Sequence, residues 1–390
     1  MFALAASSSV LIGCATLSTG GRDFPPVAGI AGAQALRLGD SVRAILSRAI
    51  ADSAFPGAYA AVGTADGVIV EYGVGRLDVD DDSRPSATTI WDLASLTKVI
   101  GTTSAMIQLV GSGRVALDSP VVRYLPAWKA PGAERITVRH LLSHSSGMPA
   151  WRALYKEAAT AEEAEQQLFA TSPDTLPGVR YVYSDLGFIL LGKLVERVSG
   201  ERLAPYDSAH VFSPLGMPDT RYLPPVALLP RIAPTEQDPW RQKKVRGEVH
   251  DENAVRLGGV SGHAGLFSTG HDLARFARMY LHHGTLDGVR VLDSAVVAMF
   301  TRMQDSTISR RALGWETPTL GNSAGSRLSP LAFGHTGFTG TSLWMDPGQG
   351  IFVLLLTNRV NPSRENRKIG GVRAALADAV VGALRGDAGR

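Results

Sequence analysis

Apolar positions along the chain alternate between two spacings, and each spacing predicts a different element. Val42, Ile45, Leu46, Ala49 and Ile50 fall on one face of a helix with Asp40 as its N-cap, and Phe55-Pro56-Gly57 ends it. Two short strands follow over 58–63 and 68–72, joined by a turn at Ala65-Asp66-Gly67. Helical spacing returns from Leu96 to Val110, stopped by Gly111-Ser112-Gly113. It appears again over Leu186 to Val198, closed by Ser199-Gly200, and over His271 to His282, closed by Gly284. Near the C-terminus a hairpin is predicted, with arms 341–345 and 351–357 around a turn at 346–350. Its second arm is apolar throughout, as expected of a central strand buried on both faces. A last helix over 371–384 completes the pattern.

Strands therefore lie at both ends and helices between them. The expected fold class is α+β: one antiparallel sheet assembled from the two ends, flanked by the terminal helices, with a mostly helical subdomain inserted over roughly 105–330. The domain is expected to span 36–385, preceded by a linker over 22–35 that carries Pro25-Pro26. A site in such a fold belongs in the cleft between the sheet and the insertion.

At 390 residues with 45% apolar and 19% charged side chains, the chain is neither disordered nor a small binding module. Lys and Arg total 39 against 36 acidic residues, and no basic block stands out, which argues against nucleic acid as a partner. Cys14 is the only cysteine, so an internal disulfide and a cysteine-based zinc site are excluded. The stretch 1–21 is apolar and rich in Ser, Thr and Gly, and Leu11-Ile12-Gly13-Cys14 within it resembles the lipobox of bacterial lipoproteins. That resemblance implies an exported chain, periplasmic or in the cell envelope, with membrane anchoring through lipidated Cys14. The competing reading is a short terminus with an incidental cysteine, since no Lys or Arg precedes the apolar run. After Gly21 no run approaches the roughly 18–20 apolar residues of a membrane-spanning helix.

The chemistry concentrates in three short strings. Ser95-Leu96-Thr97-Lys98 sits where strand gives way to helix, and the i, i+3 spacing lets the amine reach the hydroxyl. A helix N-terminus also offers N–H groups to developing negative charge. Alone the string is weak: with 7 lysines and 31 serines, chance supplies about half a match. Tyr183-Ser184-Asp185 opens a predicted helix, and His335-Thr336-Gly337 immediately precedes the hairpin.

Together, in this order, the three strings resemble the S-x-x-K, Y-S-N and K-T-G motifs of the penicilloyl-serine hydrolases, above all the class C β-lactamases and their D-alanyl-D-alanine peptidase and esterase relatives. Four longer stretches are similar to the same family: 91–98, 136–147, 258–268 and 335–344. The resemblance implies Ser95 as an acylated nucleophile and Lys98 and Tyr183 as the proton-transfer groups, with the choice of base between them open. It implies an oxyanion hole from the backbone N–H groups of Ser95 and Phe338. It places Asp185, His335, Thr336 and Gly337 against the substrate, a small molecule or a peptidoglycan-derived peptide, and calls for no cofactor and no metal.

Two residues depart from the pattern. Asp185 stands in place of an amide and, when ionised, can only accept hydrogen bonds. His335 stands in place of a lysine, exchanging a fixed cation for a group mostly neutral at pH 7. Both changes weaken the case for efficient β-lactam hydrolysis. A protonated His335 that anchored a carboxylate would make KM rise with pH. Tyr181 is the natural decoy for Tyr183. His140 and His144 are read as packing and hydrogen-bonding groups, His250-Asp251-Glu252 with His263 as surface-loop charges that lack the spacing of metal ligands, and Trp91 and Arg139 as scaffold.

Overall fold

The computed structural model describes residues 32–386. Cys14, the 1–21 segment and most of the expected linker lie outside them. The first helix, α1 (Gly32–Ala51), begins eight residues before the expected cap, so Asp40 is an exposed residue in its interior and caps nothing. The stripe continues upward through Leu38, which is buried with Val42, Leu46 and Ala49, and that burial carries the helix past Asp40. Strands β1 (Gly57–Thr64) and β2 (Val68–Gly75) follow as a hairpin. Next come a short strand β3 (Ile90–Asp92), helix α2 (Thr103–Gly111) and helix α3 (Asp185–Ser199). Strands β4 (Arg221–Tyr222) and β5 (Leu266–Thr269) lead into helix α4 (Gly270–Leu281). The chain finishes with β6 (Phe333–Thr336), β7 (Ser342–Asp346), β8 (Ile351–Thr357) and helix α5 (Ile369–Arg385).

The two ends meet as expected in one antiparallel sheet, ordered β6-β7-β8-β1-β2. Tyr59 lies opposite Leu356, which brings residues about 300 apart in sequence into one ladder. The central strand β8 is buried along its whole length because both sheet faces are covered. Ala58, Ala60, Val62, Val353 and Leu355 pack under α1 and α5. The alternate residues Tyr59, Ala61, Leu354 and Leu356 face a second core that includes Leu273, Phe276 and Ala277 of α4. Helix α4 thus covers the sheet although it falls within the expected insertion of 105–330. The reason is its strongly one-sided apolar stripe, which fits a sheet face.

A second, three-stranded antiparallel sheet is ordered β3-β5-β4. The sequence pattern does not announce it because its strands have two to four residues. It is nevertheless the platform for the first motif.

Candidate active site

Ser95 follows β3 directly. The buried Asp92 carboxylate shapes the turn: one oxygen accepts the Ala94 N–H at 2.8 Å and the other accepts the His250 N–H at 2.6 Å. Burial pushes the Asp92 pKa up, against those bonds and the His250 charge. Ala94 is held at φ +46°, a left-handed conformation that costs a non-glycine residue about 1–2 kcal/mol. A 3₁₀ turn over Ala94–Leu96 then presents Ser95 at the cleft. The predicted helix from Leu96 is not regular: a π-helical turn, Lys98–Thr102, precedes α2. Thr103 Oγ1 donates to the Lys98 carbonyl at 2.8 Å, which supports that wider turn.

Lys98 is fully buried and meets three oxygen partners. Its Nζ lies 2.9 Å from Ser95 Oγ, 3.1 Å from the His263 carbonyl and 2.7 Å from Asp185 Oδ1. It also lies 5.0 Å from the centre of the Tyr183 ring. Burial alone would lower the Lys98 pKa, but the Asp185 carboxylate and Tyr183 outweigh it and the net shift is upward. Burial likewise raises Tyr183, beyond what Lys98 and Ser95 pull back, and so favours the neutral phenol.

Asp185, expected against the substrate, also meets Lys98: it is the first residue of α3, with Ser184 capping that helix by accepting the Gly187 N–H at 3.1 Å. Its side chain keeps 19% exposure and so still borders the cleft. The His263 carbonyl is delivered by a loop that presses on α3 where two glycines meet. A methyl on Gly262 would collide with the Phe188 carbonyl and with Gly192. The loop is pinned further by His263 itself, whose ring nitrogens lie 2.8 Å from Asp251 Oδ1 and 2.9 Å from Ser261 Oγ.

The third motif lies on edge strand β6 and the loop after it. Thr339 Oγ1 donates to the Asp92 carbonyl at 2.7 Å and Thr341 Oγ1 to the Leu93 carbonyl at 3.1 Å. These bonds hold the loop carrying Phe338 against the turn carrying Ser95, so the two expected oxyanion amides sit on adjoining segments. Gly337 is required by this approach: a Cβ there would strike Thr341 Oγ1 and the Leu93 carbonyl. Arg373, reaching from α5, donates to the carbonyls of Gly337 and Thr341, both at 2.7 Å. Burial, then Arg359, pushes its pKa down to about 10.

His335 is buried, and its Nδ1 donates to the Thr336 carbonyl at 2.8 Å. Burial first, then Arg311 and Lys98, hold its pKa well below the ordinary histidine range. The direction of that shift disfavours the expected role of a protonated His335 as the anchor of a carboxylate. Its Nε2 has no hydrogen-bond partner among the described residues.

Ser95, Tyr183, His335, Thr336, Gly337 and Phe338 line one cavity of about 340 Å³. Sequence reasoning missed the arginines that share it: Arg311, Arg359 and Arg373, with Glu316 the one acidic residue. Arg311 pairs with Glu316 at 3.0 Å and lies 5.3 Å over the Tyr183 ring, and its Nη1 is buried without a partner among the described residues. Arg359 donates to the Phe338 carbonyl at 2.8 Å and lies 4.4 Å over that ring. Nothing in the sequence marks these three among 32 arginines.

The decoys separate cleanly. Tyr181 remains 36% exposed at the rim while Tyr183 lies inward beside Lys98. His140 accepts the Thr137 N–H at 3.2 Å in a helix cap. His144 lies beyond that helix at φ +55°, accepts the Ser184 N–H at 3.0 Å, and packs 4.5 Å from the Tyr183 ring. His250 and His263, expected as surface-loop groups, are instead buried: His250 lies 2.8 Å from Glu236 and stacks 5.6 Å from Phe338. Arg139 forms a two-pronged bond to Asp118.

Known proteins resemble this chain in sequence and in fold. The β-lactamase family model matches residues 42–377. A putative D-alanyl-D-alanine carboxypeptidase of Salmonella typhi is 32% identical over 323 residues, 73% of each chain. Among solved structures, a penicillin-binding protein homologue from Caulobacter crescentus superposes with a TM-score of 0.73 at 21% identity, covering 89% of this chain and 98% of that one. EstCE1, a hydrolase with promiscuous acyltransferase activity, gives the same TM-score and identity, covering 89% of this chain and 99% of its own. These structural likenesses concern the fold.

Proposed function

The chain belongs to the β-lactamase family, and from that premise we propose that this serine hydrolase cleaves D-amino-acid peptides of the cell wall, or esters and amides of similar size, through an acyl-enzyme on Ser95. The observation that carries the reading is the contact of Ser95 Oγ with a buried Lys98 at 2.9 Å, flanked by Tyr183. Ser95 attacks the carbonyl, the N–H groups of Ser95 and Phe338 receive the oxyanion, and Tyr183 returns a proton to the leaving group. The name of the Salmonella relative supports a peptide ending in a free carboxylate. So does the cleft, where three arginines face a single glutamate and can meet that carboxylate in place of His335. Fast β-lactam turnover fits less well, because Asp185 replaces a donor amide with an acceptor. Export and anchoring through Cys14 belong to the same proposal, and loss of labelled-lipid incorporation in Cys14→Ser tests them.

Intact mass spectrometry after brief exposure to a fluorophosphonate and, separately, to benzylpenicillin tests the active-site reading. A phosphonate adduct absent from Ser95→Ala supports it, and an adduct that persists in that variant overturns the nucleophile. A lasting penicillin adduct favours a peptidase, while accumulating penicilloic acid favours a β-lactamase. Reaction with neither drug nor peptide moves the substrate to activated esters.

A further inference from the structure

The acyl transfer proposed above needs a group to receive the Ser95 proton, and Lys98 as it stands cannot be that group alone. An ammonium has three hydrogens and no lone pair. Here Nζ donates to the His263 carbonyl and to Ser95 Oγ, and it forms an ion pair with the Asp185 carboxylate. To accept from Ser95, Lys98 must release a proton to another neighbour. The His263 carbonyl cannot take it. Tyr183 could take it only as the phenolate, which burial disfavours. His144 accepts the Ser184 N–H through Nδ1, so its Nε2 carries the hydrogen; His335 leaves Nε2 free, but burial and the cations Arg311 and Lys98 disfavour its protonated form; and Asp251 is bound to His263 and to the Ala254 N–H. Arg311 is a permanent cation that acts on the two histidines. The remaining acceptor is Asp185 Oδ1, which forms an ion pair with Nζ at 2.7 Å and has no hydrogen-bond partner among the described residues.

We propose that Ser95, Lys98 and Asp185 form a proton relay in which Asp185 is the terminal acceptor. The Ser95 Oγ–H bond breaks as Oγ bonds to the substrate carbonyl carbon, and its proton passes to Nζ while Nζ passes one to Asp185 Oδ1. Lys98 ends as it began, a cation, and Asp185 becomes the neutral acid. When the tetrahedral adduct collapses, the leaving oxygen or nitrogen takes the Tyr183 proton, and Asp185 refills Tyr183 through Lys98. In this chain the aspartate is therefore a working part of acyl transfer, more than a substituted substrate contact.

This proposal rests on the serine-hydrolase reading, and the test keeps the two apart. Wild type, Asp185→Asn and Asp185→Glu are compared for hydrolysis of an activated neutral ester from about pH 6 to about pH 9, with thermal melting to confirm folding. The relay predicts that Asp185→Asn loses about 100-fold or more in kcat across the range with KM nearly unchanged, that Asp185→Glu recovers part of the loss, and that wild-type kcat stays level where Lys98 is still charged. The proposal is overturned if Asp185→Asn becomes faster at neutral pH with its acid limb moved down, because Asp185 is then only a counter-ion that holds Lys98 out of action. It is equally overturned if only KM changes. Failure of the wild type to react with ester or fluorophosphonate would sink the serine-hydrolase reading, whereas normal wild-type reaction with an unimpaired Asp185→Asn would sink the relay alone.

Discussion

The two walls of the cleft are built on opposite electrostatic plans. On the inner wall each carboxylate has a close partner: Asp185 lies 2.7 Å from Lys98, and Asp251 lies 2.8 Å from the His263 ring behind it. On the outer wall positive charge is in excess. Arg359 and Arg373 bond to backbone carbonyls and pair with no carboxylate among the described residues, and Arg311 keeps a buried N–H without a partner. Buried unmatched cations are costly, so a site that retains them is arranged for an anion that arrives from outside. The matched wall instead suits protons moving over short distances with little change in net charge. In the proposed mechanism, chemistry belongs to the first wall and recognition to the second.

Substitutions on the two walls should therefore fail differently. The largest effect is expected from Lys98→Met, which removes the inner cation at similar length: kcat for an activated ester should fall about 1,000-fold or more, and stopped-flow acylation would show it. A fall of only a few fold would return the inner wall to a structural role. Gly337→Ala comes next. Its methyl must push the loop off Leu93 and Thr341, displacing the Phe338 amide, and a lost oxyanion donor costs about 100-fold or more in kcat. Unchanged kcat would place the oxyanion elsewhere. Arg311→Gln should raise KM about tenfold for a substrate with a free carboxylate and leave a neutral ester almost untouched. Equal effects on both substrates would remove the distinction between the walls.

The smallest effect concerns His335 and His144, both held neutral by burial and neighbouring cations. KM should show no limb near the ordinary histidine pKa of about 6.5, because burial and the neighbouring cations lower the His335 pKa. Stability should respond instead. Unfolding frees both imidazoles to bind protons near their ordinary pKa of about 6.5, so the unfolded state gains protons as pH falls below that value. Each histidine then removes up to about 1.4 kcal/mol of stability per pH unit, lost as pH falls from about 6.5. Thermal midpoints of His335→Gln and His144→Gln should decline less steeply over that window than wild type, and parallel slopes would contradict the burial argument.

The inner wall was legible early because its residues are local or motif-bound. Ser95 and Lys98 share one helical turn, and Tyr183 and Asp185 bracket the Ser184 cap of α3. Even there, the sequence placed Asp185 against the substrate, since only the packing of α3 on the π-helical turn shows that its carboxylate reaches Lys98. The outer wall was not legible. Arg373 meets the Gly337 loop from a helix 36 residues further on, and Arg311 reaches Tyr183 from more than a hundred residues away. Asp92 falls in the 91–98 stretch, and its place just before the turn was the available signal of its structural role. The strands of the small sheet were too short to produce a period.

By itself the sequence determined the antiparallel sheet formed from the two chain ends, the helices with clear stripes and stops, and the order of the three motifs. These are encoded by side-chain alternation and by neighbours a turn apart. Only the tertiary structure decided which carboxylate meets Lys98, which histidines stay neutral, and where the unmatched arginines gather. Charge and burial are properties of the assembled environment, and segments distant along the chain must be packed together before either acquires a value.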